Sequence, residues 1–129
     1  MADYTVATPA DLEFFYHGLF GRARAALGVE SFGLATVELG PDADNHPDHA
    51  HDGGQEEVYV VLKGTGTLEV DGESVALEPG TMVRVGPGAK RKINPGGEGM
   101  RLLAIGGTPG EAYEAPAYTE LGATDPLDG

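Results

Sequence analysis

From residue 57 to residue 106 the chain is a succession of short β-branched and aromatic runs: EVYVVLKG, GTLEV, ESVAL, TMVRV, KRKI and RLLAI. Each run is closed by glycine, proline or an Asp-Gly pair. That punctuation constrains the fold more than any other feature. The runs are too short for stable helices, and their residue types suit a pleated, half-buried surface. Asp71-Gly72, between GTLEV and ESVAL, predicts a two-residue hairpin. EPG (78–80), GPG (86–88) and NPGGEG (94–99) predict further turns. About six short strands joined by turns give an all-β fold, an antiparallel barrel or sandwich.

The flanks are less regular. SFGLATVEL (31–39) reads as a strand with Phe32, Leu34 and Val37 as core candidates, and GPDADNHPD (40–48) as a loop. Thr8 and Pro9 suit the cap and first position of a short helix. GRARAALG (21–28) suits helix or strand equally. Residues 1–31 are therefore expected to form N-terminal strands or a short helix. Residues 107–129 form a tail, with three prolines and several acids, that wraps the surface. At 129 residues one domain is expected over the whole chain, with its core at about 32–106.

Charge narrows the partners. Eight basic residues face 21 acidic ones, a net charge of −13. Nucleic acid and anionic membranes attract basic surfaces, so neither is an expected partner. No apolar run approaches the ~20 residues of a membrane span, and the opening MADYTVATPADLEFF lacks the pattern of a secretory signal. A cytoplasmic protein is expected. With no cysteine, disulfides and thiolate metal sites are excluded.

The chemistry concentrates in HAHDGGQEEVYVVLKGTG (49–66). Residues two apart on a strand share a face. His49 and His51 therefore point together, as do Glu57, Tyr59 and Val61 on the following strand. If both rows face the barrel interior, two imidazoles and a carboxylate converge. Such a set suits a divalent transition metal: Zn, Mn, Fe, Co or Ni. Tyr59 would line the pocket or pack in the core. The opposite row, Val58, Val60 and Leu62, is apolar too, so a second sheet or a second subunit must cover it. A homodimer is expected on that ground.

The order H-x-H, short loop, E-x6-G, hairpin, Pro-Gly turn, strand, turn resembles the cupin superfamily of double-stranded β-helix (jelly-roll) barrels. Glu57 and Gly64 match the E-x6-G half of its first motif, G-x5-H-x-H-x3–4-E-x6-G; Glu56 fits the spacing from His51 instead, and Gly40 lies upstream of the motif's first glycine. The resemblance covers about residues 32–106. It implies a cupin barrel with antiparallel sheets and His49, His51 and Glu57 as metal ligands. It permits enzymes and non-catalytic binders alike.

The second motif, G-x5-P-x-G-x2-H-x3-N, is broken. In GTMVRVGPGAKRKIN (80–94), Gly80 and Gly88 match, Gly86 replaces the proline, Asn94 falls one place early, and Arg91 stands where the family has its remaining histidine ligand. Arginine is permanently cationic and ligates no cation. Three arrangements follow: a three-ligand metal site open to water or substrate, His46 entering as a further ligand, or a metal-free barrel in which Arg91 pairs with Glu57. In the first, Arg91 would grip a small anionic ligand. Arg84, among Met82, Val83 and Val85, is either a rim charge or a second anion contact. Lys90 and Lys92 read as surface charges opposite Asp42, Asp44, Asp48 and Asp52. His17 and His46 read as structural or solvated.

Overall fold

The computed structural model describes residues 2–51 and 53–128. Its order is a 3-10 turn Pro9–Asp11, β1 Phe14–Phe15, β2 Phe20–Gly21, α1 Ala23–Leu27, β3 Gly33–Leu39, β4 Glu56–Val70, β5 Glu73–Leu77, β6 Met82–Val85, β7 Arg91–Gly107 and a 3-10 turn Ala117–Thr119. The expected all-β antiparallel architecture forms. The strands pair in the order β1-β2-β3-β7-β4-β5, with β6 on the other edge of the first half of β4.

Two long strands organise the barrel. The first half of β4 pairs with the second half of β7, from Glu56↔Gly107 to Gly64↔Met100. The second half of β4 pairs with the first half of β7, from Gly66↔Pro95 to Val70↔Arg91. Register shifts between Val61 and Lys63, and between Gly64 and Gly66, bend the pair between the two halves. Bulges add twist and bend without ending a strand. EVYVVLKG and GTLEV are thus one strand rather than two, and NPGGEG lies inside β7 rather than forming a turn. Gly64 permits the bend: its φ is +82°, and a Cβ there would collide with the carbonyl of Gly99 across the pair.

The hairpin forms as expected. Val70 pairs with Glu73, while Asp71 (φ 46°) and Gly72 (φ 85°) take the left-handed conformations of a primed turn. Inward rows from both halves make the core: Val37, Leu39, Tyr59, Val61, Leu68, Leu77, Val85, Ile93, Met100 and Leu102. Each such aliphatic side chain contributes roughly 1.5–3 kcal/mol on burial. Phe32, expected in this core, is 39% exposed, because β3 begins only at Gly33.

The Thr8 turn forms, closed by hydrogen bonds from the Thr8 N–H and hydroxyl to Asp11, but it stops after three residues. GRARAALG resolves to helix, ended by Gly28 in the left-handed conformation at φ 75°. The tail is tied down by this region. Arg22 donates from Nε to the Tyr118 carbonyl and from Nη2 to the Ala123 carbonyl, and Arg24 pairs with Glu120. Among the described residues no helix is long and apolar enough to cross a membrane.

Candidate metal and ligand site

The site begins with an edge. β7 pairs with β4 on one side, and its other side at residues 91–93 is closed by the loop that precedes β4. The N–H groups of His49 and Arg91 each donate to the other's carbonyl, at 3.0 and 2.8 Å. The Ile93 N–H donates to His46 Nδ1 at 3.0 Å. The Lys92 ammonium donates to the carbonyls of Asp44 and His46. His49 is therefore not in a regular strand but in a single antiparallel bridge. That bridge suffices to turn His49 and His51 towards the row of Glu57 and Tyr59.

Donor atoms of His49, His51 and Glu57 lie within 4.8 Å of one another. His51 Nε2 is 3.4 Å from Glu57 Oε2, and the two imidazoles stand at 88° with centroids 5.1 Å apart. The His49 tautomer suits coordination. His49 Nδ1 lies 2.9 Å from the Pro47 carbonyl, which only accepts, so Nδ1 is the donor and Nε2 keeps its lone pair. His51 Nε2 is buried and without a hydrogen-bond partner among the described residues. An orphaned imidazole nitrogen facing a carboxylate oxygen, beside a second free lone pair, fits a divalent transition metal.

Arg91 is fully buried. Its Nη1 donates to Glu57 Oε1 at 2.9 Å, Nε to the Ala89 carbonyl at 3.0 Å and Nη2 to the Gly86 carbonyl at 3.2 Å. It is not placed at the barrel mouth to grip a ligand: it is fully buried and does not line the cavity beside the site. Burial by itself would raise the Glu57 carboxyl; the nearby His51, Tyr59 and Arg91 outweigh it and hold the group below the usual carboxylate range. Burial also lowers His49, keeping it neutral. Tyr59 is 2% exposed, and burial with the charge of Glu57 beside it pushes its phenol far up.

Arg84 does not join the site. Glu57 pairs with Val85 and Val58 with Arg84, so strand parity sends Arg84 to the outer face, where it meets Glu56 at 3.3 Å. It is a surface charge. Lys90 lies 3.8 Å from Asp48, whereas Lys92 caps backbone carbonyls rather than facing acids. Asp52 lies outside the described residues.

His46, read as solvated, is 1% exposed. It packs against Phe20, His49 and Tyr59 and is pushed down to about 3 by burial and then by the neighbouring His49. A cavity of about 510 Å³ opens beside these groups. Its wall includes Leu34 and Ala35 of β3 and Ala104 of β7, and aromatic rings from the chain's two ends: Phe15 and Phe20 from the N-terminal strands, Tyr113 and Tyr118 from the tail. No motif marked these four aromatics, and only their concentration in otherwise irregular flanks could have hinted at them.

Residues 35–106 match the family model described as a cupin domain. No curated protein matches the sequence. Among solved structures, a cupin protein from Bacteroides fragilis is similar with TM-score 0.71 and 23% identity, over 90% of this chain and 93% of that one. A sugar phosphate isomerase of the cupin superfamily from Silicibacter pomeroyi is similar with TM-score 0.60 and 26% identity, over 67% of this chain and 57% of that one. KdgF from a Halomonas species is similar with TM-score 0.56 and 13% identity, over 81% and 84%.

Proposed function

The chain belongs to the cupin family, and on that premise we propose that its barrel binds a small anionic molecule beside a divalent transition metal held by His49, His51 and Glu57. One observation carries the reading: the His51 nitrogen, buried and unpartnered among the described residues, stands 3.4 Å from Glu57 Oε2. The Pro47 carbonyl supports it by fixing the His49 tautomer that a ligand needs. A bound ion would polarise a carbonyl or activate a water. The protein's part is to hold the donors, keep His49 neutral and wall the cavity with aromatic rings. Likeness to a sugar phosphate isomerase is in keeping with a small, oxygen-rich anion as ligand.

A second reading rests on the Arg91–Glu57 pair. The guanidinium already neutralises the carboxylate, so the barrel could bind a small molecule without metal. Elemental analysis of protein purified without chelator or affinity-tag metal separates the two. One transition metal per chain is expected, and a His51→Ala variant should lose it while keeping its circular dichroism spectrum. No metal after dialysis against Mn, Fe, Zn, Co and Ni would overturn the metal reading and leave the metal-free binder.

The proposal includes a homodimer. Val58, Val60, Leu103 and Ile105 form a half-buried outer row on paired strands, extended by Met82 at 72% exposure opposite Val60. Apolar rows of this kind suit a second sheet. A Met82→Glu variant, whose side chain is already in solvent, should sediment as a monomer with an unchanged melting temperature. A monomeric parent protein would remove the dimer from the proposal.

A further inference from the structure

His46 is the buried polar group to which the metal reading gives no task. Its tautomer follows from its partner. Nδ1 accepts the Ile93 N–H at 3.0 Å, so Nδ1 carries no proton. The ring is buried. Its one proton therefore sits on Nε2, and a protonated nitrogen does not ligate a metal. This removes His46 as a further ligand on chemical grounds. Nε2 has no hydrogen-bond partner among the described residues. With its Nδ1 edge turned to β7, the ring packs beside Phe20, His49 and Tyr59 and lines the cavity.

A buried donor with no acceptor calls for a partner. We propose that His46 Nε2–H is a fixed hydrogen-bond donor for an oxygen of the ligand, placed beside the His49, His51 and Glu57 donor set. It then selects ligands that present a carboxylate or carbonyl oxygen at that point and rejects those that present a donor, because two donors cannot pair. Arg91 is fully buried and does not line the cavity, so it cannot serve instead. The inference rests on the reading of this cavity as a ligand site, yet it assigns a residue outside the metal set.

The test uses the Co(II)-loaded protein, followed by its visible absorption, with acetate and imidazole as probes. Both can ligate the metal. Acetate keeps an oxygen free to accept from His46, whereas the second nitrogen of neutral imidazole is a donor. The variant is His46→Asn, whose amide oxygen retains an acceptor for the Ile93 N–H but whose side chain ends one bond short of the Nε2 position. The dissociation constant of acetate should rise about ten-fold, the cost of one charge-assisted hydrogen bond. Cobalt content should stay unchanged, and imidazole affinity should not fall. An equal loss for both probes, or none for acetate, overturns the proposal. If the parent protein takes up no cobalt, the metal reading alone fails. His46 is then judged by two-bond 1H–15N NMR: an Nε2–H tautomer whose resonance moves on adding acetate upholds the donor role, and an Nδ1–H tautomer or an unmoved resonance overturns it.

Discussion

Replacing Arg91 with methionine is expected to destabilise the protein by about 3–5 kcal/mol, a fall of roughly 10–20 °C in Tm for a chain of this size. The reason is what remains rather than what is removed. Arg91 is fully buried and is the cation on Glu57, whose side chain is itself only 12% exposed. Without it the carboxylate stays in a low-dielectric pocket with only His51 and Tyr59 to support it, and the carbonyls of Ala89 and Gly86 lose their donors. The paired variant Arg91→Met with Glu57→Gln removes the buried charge as well. Most of the lost stability should then return, since an ion pair exchanged for groups of similar volume is close to neutral. Thermal unfolding of the single and paired variants reads both effects. A loss below about 1 kcal/mol in the single variant would mean that Glu57 does not depend on Arg91.

Replacing Arg91 with histidine is expected to raise metal affinity at least ten-fold, by ~1.4 kcal/mol or more. Position 91 is bridged to His49 through paired backbone bonds, and its side chain points at Glu57. An imidazole there would add a fourth nitrogen or oxygen donor and remove a positive charge that opposes a cation. Titration with Zn(II) against a competing chelator measures the ratio of the two affinities. An unchanged or weaker affinity would show that the shorter side chain falls short of the donor set, and that the arginine is not simply occupying a ligand's place.

The inward row Glu57, Tyr59 and Val61 and the Asp71-Gly72 hairpin were legible because each rests on local rules: period-two alternation and a turn that needs positive φ. The convergence of His49, His51 and Glu57 was legible through the cupin motif. The bends in β4 and β7 were not. A glycine-rich stretch looks the same in sequence whether it reverses the chain or bulges a strand that continues, and only pairing along both halves decides between them. Arg84 was ambiguous for a related reason. Its face follows from the register Glu57↔Val85, which is a property of the partner strand and not of its own segment. His46 shows the longest reach. Its burial depends on an N–H 47 residues away, on a strand edge that needs an acceptor, and nothing near Asn45-His46-Pro47 announces it.

The cavity wall has a consequence for how such a protein diversifies. The groups suited to a metal belong to the barrel and its edge loop, whereas Phe15, Phe20, Tyr113 and Tyr118 come from the chain's two ends, which Arg22 and Arg24 clamp together. On the proposed function, the metal donors and these aromatic rings therefore occupy separate stretches of polypeptide. Substitutions in the terminal segments can reshape what fits against the reactive groups while the barrel keeps its register. On that reading the molecule is a two-part instrument, a barrel chamber with a front plate of aromatic rings, and substitutions in the plate are the expected route to new ligands.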